Sequence, residues 1–234
     1  MSEIFTFFGL LLHNNPYEHE LLYLTHLLLV VVIVLVIARI ATKSMTIVPG
    51  QIQNILELYL GGISSMGEDI MNEKAKKYLP LIATLGLMIF TANIIGLIPG
   101  FESPTSFWDF TLALTLVVFV YYHFEGIREN GLFGYLGHFA GDSDMNILLR
   151  IFMFPIEIIS HLSRVVSLSF RLFGNIKGDD LFLAVILMLV PAYFPGVAFP
   201  AYGLLFIMAF LQTFVFMILS YVYIASAVMI SEEH

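Results

Sequence analysis

Residues 147–190 read ILLRIFMFPIEIISHLSRVVSLSFRLFGNIKGDDLFLAVILMLV, and only Pro155, Gly174 and Gly178 could break a helix in that run. As one helix it extends about 66 Å at 1.5 Å per residue, against a bilayer hydrocarbon core of about 30 Å. Such a helix must tilt strongly, bend, or lie partly in the membrane plane. Turned at about 100° per residue, it gathers its polar side chains on one face. Glu157, His161, Arg164, Arg171 and Asn175 share that face, with Ser160, Ser167 and Gly178 beside them. Ile, Leu, Val and Phe fill the rest of the wheel, and Leu168 is the one apolar residue inside the stripe.

Arg171 lies near the middle of the run, where an arginine costs about 2.5–3.5 kcal/mol on membrane-insertion scales. The stripe therefore faces protein or water. For Arg150, Glu157 and Arg164 considered alone, which lie nearest the polar segment before them, the solvated face of an interfacial helix is the favoured reading. It does not serve Arg171. Glu157 precedes Arg171 by about 21 Å along a straight helix, and residues 201–230 contain no acid. The nearest carboxylates in the chain are Asp179 and Asp180, two to three turns on. A missing counter-charge argues for one supplied by another subunit.

The whole chain agrees with a membrane setting. Of its 234 residues 59% are hydrophobic and 12% are charged, with a mean hydropathy of +0.91. Soluble domains carry about 25% charged residues, so this is an integral membrane protein. The chain has no Cys, which excludes disulfides, thiolate zinc sites and iron–sulfur clusters. A net charge of -8 argues against a nucleic-acid partner. The seven histidines form no HExxH and no tight metal-binding pair, so neither a metal nor a cofactor is expected. No GxxxxGK occurs, so no direct nucleotide binding is expected. Gly61-Gly62-Ile63-Ser64-Ser65 resembles a hydrolase turn only faintly, because no strand precedes it.

Residues 1–20 lack the basic start of a signal peptide and read as an external N-terminal segment. A single transmembrane domain, 21–234, follows. Apolar runs occupy 21–38, 79–99, 107–123, 147–190 and 201–230. Between them, 44–78 is polar to amphipathic, with a helix-like stretch at 51–71 opened by Pro49-Gly50. Residues 125–146 read as a Gly-rich polar loop, and Pro191, Pro195 and Pro200 mark a turn. Phe107, Trp108, Tyr121 and Tyr122 stand at span ends and read as an interfacial belt. The fold expected is all-α with about five membrane segments, the last two a long, strongly tilted hairpin over 147–230. Lys and Arg alternate from loop to loop: 39–77 holds Arg39, Lys43, Lys74, Lys76 and Lys77, while 1–20 and 100–106 hold none. Cytoplasmic loops are the basic ones. This puts the N-terminus outside, and residues 39–78 and the C-terminus in the cytoplasm.

Ser167-Leu-Ser-Phe-Arg171-Leu-Phe-Gly-Asn175 resembles the signature of subunit a of F-type ATP synthases. Pro49-Gly50-Gln51 with Glu57, Asn93-Ile-Ile-Gly96-Leu-Ile-Pro99, Pro155-Ile-Glu157, Leu211-Gln212 and the terminal Ser-Glu-Glu-His resemble other parts of that family. The resemblance covers roughly residues 20–234. It implies a non-catalytic stator subunit that forms two proton half-channels against a ring of c-subunits, in a bacterial inner membrane. The b-subunit peripheral stalk, the other synthase subunits and the lipid bilayer are the further partners implied. By the same resemblance Arg171 faces the rotor carboxylate. Asn175, Asp180 and Gln212 border the outer half-channel, Glu157 borders the inner one, and His161 joins the proton-translocating set from its place on the stripe. The chain departs from many members at Val165, Asp180 and Leu205. Read from the residues alone, two other functions stay open: a secondary transporter or ion channel using Arg171 as a substrate or gating site, and a structural anchor without an ion path. The absence of a sequence repeat gives no support to an inverted-repeat transporter.

Overall fold

The computed structural model describes residues 6–12, 18–43, 50–139, 147–189 and 198–229. The long elements among them are all helices. They are α1 (Phe7–Leu12), α2 (Glu18–Lys43), α3 (Gln51–Met71), α4 (Ala75–Gly96), α5 (Trp108–Phe139), α6 (Ile147–Leu189) and α7 (Ala198–Val228). Among the described residues, five helical runs are long and apolar enough to cross a membrane: Glu20–Lys43, Gln51–Gly96, Trp108–Leu132, Ile147–Leu189 and Phe199–Val228. The number agrees with the expected five segments.

α3 coincides with the helix-like stretch expected at 51–71. It ends where Asn72 takes a left-handed φ of 52°, a conformation that Asn tolerates better than most residues. The chain reverses there, and α4 runs back alongside α3. The Tyr59 hydroxyl on α3 donates to the Ala83 carbonyl on α4 at 2.8 Å. α4 and α7 carry much of the core: Tyr78, Ile82 and Ile89 meet Phe216, Tyr221 and Ile224, with Leu114 and Val118 of α5 and Leu168 and Leu172 of α6 closing it. α2 packs mainly on α4 and leaves Leu24, Leu28 and Leu35 exposed, as a lipid-facing helix does.

Two expectations are corrected. Residues 125–139, read as part of a polar loop, are helical. α5 runs on to Phe139, kinked at Gly131, whose φ of 73° suits glycine. The extension is held by partners far away in sequence. Glu125 accepts from Lys77 at 2.5 Å, and the Asn130 amide donates to the Ala227 carbonyl at 3.0 Å. Residues 140–146 of that expected loop lie outside the described residues. Tyr122, read as interfacial belt, is buried and its hydroxyl lies 2.9 Å from His161 Nδ1. A phenol placed that way belongs to the interior.

α6 is one unbroken helix, and none of Pro155, Gly174 and Gly178 ends it. α7 starts at Ala198 rather than 201, with Pro200 in its first turn, where a missing N–H breaks no helical bond. Pro191 and Pro195 lie outside the described residues. The two helices run antiparallel: Arg164 Nη1 donates to Ser226 Oγ at 3.0 Å, and Asn175 Nδ2 to Gln212 Oε1 at 2.5 Å.

The bundle has two chemically different ends. At one, Lys77 pairs with Glu125 and Glu129, and Arg128 with Glu125. At the other, Phe7 N–H donates to the Gly100 carbonyl, and the buried His26 ring accepts from Glu102 N–H at 3.2 Å. Phe8 and Phe101 pack edge-on against that ring.

Candidate functional site: the polar margin of α6

The expected stripe on α6 falls on the border between a packed face and an open one. His161, Val165, Leu168, Ser169, Leu172 and Ile176 are buried against the bundle. Leu168, the apolar residue of the stripe, thereby joins the core. Glu157, Arg164, Arg171 and Asn175 are half-buried along the margin, and Ser163, Ser167, Gly174 and Gly178 are exposed just beyond it. These small side chains leave the backbone of α6 open to close approach beside Arg171.

The two stripe arginines differ. Arg164 is satisfied within the chain by Ser226, and its guanidinium lies 5.4 Å from the centre of the Tyr223 ring, a cation–π contact. Arg171, between the Arg164–Ser226 and Asn175–Gln212 contacts, makes no hydrogen bond or ion pair among the described residues. α7 opposite carries no charged residue anywhere in its length. An unsatisfied guanidinium in an apolar setting is costly, so this charge is suited to a partner from outside the chain.

Toward the Lys77 end of the bundle the structure brings Glu157 and His161 together, with Nε2 and Oε1 3.4 Å apart. His161 itself is turned inward, stacked beside Tyr122 and close to Phe139 and His123. It thus reaches Glu157 from behind and does not stand in line with Arg171. Toward the other end Asn175 and Gln212 form a direct amide pair. One to two turns further, Asp180 lines a small cavity with Asp179, Asn93, Ser103 and Leu205.

Tyr122, Asn93 and Asp179 are site neighbours that the sequence reading named without placing them among the site residues. Asn93 had a legible signal, an amide alone inside an apolar run, which needs a polar partner when buried. It finds one in the Thr105 hydroxyl at 2.6 Å. Tyr122 had none, because an aromatic pair at a span end reads as belt.

Residues 23–225 match the family model described as the ATP synthase A chain. The chain is 57% identical to the ATP synthase subunit a of Campylobacter fetus subsp. fetus over 236 residues, covering all of both chains. It is 54% identical to the ATP synthase subunit a of a Nitratiruptor species, covering all of this chain and 99% of that one. It is 55% identical to the ATP synthase subunit a of Campylobacter jejuni, again over the full length of both.

Proposed function

The chain belongs to the ATP synthase A chain family, and on that premise we propose that it is the membrane stator subunit of a rotary ATP synthase, in which Arg171 faces the carboxylates of a c-subunit ring. The observation that carries this is Arg171 itself, a permanent charge on an open helix margin with no hydrogen-bond or ion-pair partner among the described residues. The exposed Ser163, Ser167, Gly174 and Gly178 beside it give a rotor helix room to approach. Family membership gives no support to an independent transporter or a passive anchor.

The mechanism follows from two solvation states. A rotor carboxylate crossing lipid travels neutral, since a bare anion there is expensive. Opposite Arg171 it is held as the anion by the adjacent charge. Arginine stays protonated and offers a planar fork of donors, which lysine does not. A protonated rotor site therefore gives up its proton near Arg171 and cannot slip past it still loaded. Asn175, Gln212 and Asp180 line the path to the outside, and Glu157 with His161 lines the path to the cytoplasm. Because the two paths meet the ring at different places, each proton crossing turns it one step. A proton crossing 100 mV releases about 2.3 kcal/mol. ATP chemistry belongs to other subunits, and the peripheral stalk b-subunit holds this one against rotation. α6 is longer than the bilayer is thick, so the α6–α7 hairpin lies tilted across the membrane.

Water access tests the outer path. Single cysteines at Asn175 and Gln212 should make proton pumping sensitive to silver ion, while one at the exposed Leu187 should not. Equal insensitivity at all three removes the outer-path assignment.

Orientation is tested separately, in a chain with no Cys of its own. Both positions chosen, Gln51 and Ile98, are exposed. The Lys/Arg bias predicts that a membrane-impermeant thiol reagent added outside intact cells labels Ile98→Cys and spares Gln51→Cys. The opposite pattern reverses the topology.

A further inference from the structure

The cavity where α4, α6 and α7 meet holds more acid than a single-carboxylate path needs. It is lined by Asn93, Gly96, Ser103, Asp179, Asp180 and Leu205, among others, and leaves about 20 Å³ for the centre of a water molecule. That is enough for one water and too little for a bulk-like shell. From α7 only Leu205 and Ala209 enter it, so that helix brings no titratable group. The charge of Asp180, which lines the same cavity, acts on Asp179. The other charges facing Asp180 are Lys177 on its own helix and Glu102 on the segment after α4.

Asn93 supplies a second, independent sign that this cavity receives something polar. The residue is 2% exposed. Its Oδ1 accepts from the Thr105 hydroxyl at 2.6 Å, while its Nδ2 has no partner. Buried donors are almost always satisfied. The side chain is also held firmly: Thr105 is tied to Ser103 at 2.5 Å, and Ser103 donates to the Ala92 carbonyl at 2.8 Å. A braced amide with one free donor end, lining a cavity with two carboxyls, is suited to binding a carboxylate oxygen directly or through the single water.

We propose that Asp179 and Asp180 form one proton-sharing carboxyl pair at the outer mouth of the path, with Asn93 donating to its anionic member; this rests on the stator reading above. Two carboxylates crowded into so little water do not both ionise freely, and they exchange protons as a coupled unit. The pair holds one proton between them. When the O–H of the protonated member breaks, its proton passes inward along Asn175 and Gln212 to the rotor carboxylate. The carboxylate left behind takes a proton from the outer water, and no electrons move. Asp179 is thus a proton carrier equal in standing to Asp180.

The test uses the complete synthase in proteoliposomes, driven by an imposed proton gradient, with assembly of each variant checked by copurification. Asp179→Asn and Asp180→Asn should each slow ATP synthesis several-fold, and the double variant on the order of 10²-fold, the scale of a lost acid–base group. Asp179→Glu should restore most of the rate, which a merely structural role does not predict. Should Asp179→Asn fail to assemble, Asp179→Ser carries the same comparison. In infrared difference spectra on raising the pH, both single variants should alter the same protonated-carboxyl band. A wild-type rate in Asp179→Asn, a double variant no slower than Asp180→Asn, or a failed rescue by Asp179→Glu each overturns the pair. Arg171→Ala in the same proteoliposomes separates the two readings. Coupled synthesis there removes the stator mechanism itself, whereas loss there with a silent Asp179 removes only the pair.

Discussion

Arg171→Ala abolishes ATP synthesis driven by a proton gradient and ATP-driven proton pumping, while the complex still assembles. Assembly survives because the guanidinium has no partner among the described residues of its own chain, so its removal orphans none of them. It also relieves the desolvation of a charge held in an apolar setting. Coupling fails because nothing then holds the passing rotor carboxylate as an anion or blocks the passage of a loaded site. Arg171→Lys is severely impaired as well, since an ammonium lacks the planar fork and sheds its proton when desolvated. Arg164→Ala is the internal control. It loses a bond to Ser226 and a contact with the Tyr223 ring, both on the same chain, and should leave coupling largely intact. The measurement is proton pumping in membrane vesicles, with assembly followed by copurification. Normal pumping in Arg171→Ala alongside failure in Arg164→Ala would move the mechanism two turns along α6 and defeat the assignment.

Periodicity made α6 and α3 legible, and for the same reason. Each presents a continuous face whose polarity repeats at the helical period, so 147–190 and 51–71 could be read without any knowledge of neighbours. The stripe from Glu157 to Asn175 was visible for the same cause, because ionisable groups in a long apolar run are costly and therefore conspicuous. Periodicity does not say which side of the stripe packs. The structure assigns that to Leu168 and Leu172, which turns His161 inward and leaves Arg171 at the margin. What was missed depends on pairing across the sequence. The glycines of 126–137 suggested a loop, and the helix there is held by Lys77 and Ala227, which lie in other elements. Tyr122 looked like an interfacial aromatic until His161 was placed beside it. Asp179 was read only as one of the nearest carboxylates to Arg171, and its place in a cavity with Asn93, from a different helix, needs the fold.

Gly67→Val should destabilise the subunit and reduce its incorporation into the complex, although it lies far along the fold from Arg171. Gly67 is buried on α3 just before the reversal into α4. A Cβ there would stand 2.6 Å from Tyr221 Cζ and 2.9 Å from Ala75 Cβ. Neither neighbour can yield easily: Tyr221 is 0% exposed and Ala75 1% exposed, and the one is a rigid ring while the other is the first residue of α4. The helices themselves must separate. Overpacking of this kind costs about 1–3 kcal/mol, and each kcal/mol lowers the melting temperature of a domain this size by about 2–4 °C. The displacement reaches function through α7, because the helix that carries Tyr221 also carries Gln212, the partner of Asn175 beside Arg171. Gly61→Ala on the same helix is the contrast. A Cβ there meets nothing within 4 Å, and the gain in helix propensity is up to about 1 kcal/mol. Thermal release of the subunit from the purified complex reads both variants. Gly67→Val should come off at lower temperature than wild type, and Gly61→Ala at the same or higher. If Gly67→Val is as stable as wild type, α3 does not lie against α7 at this point, and the joint between α3, α4 and α7 described above is wrong.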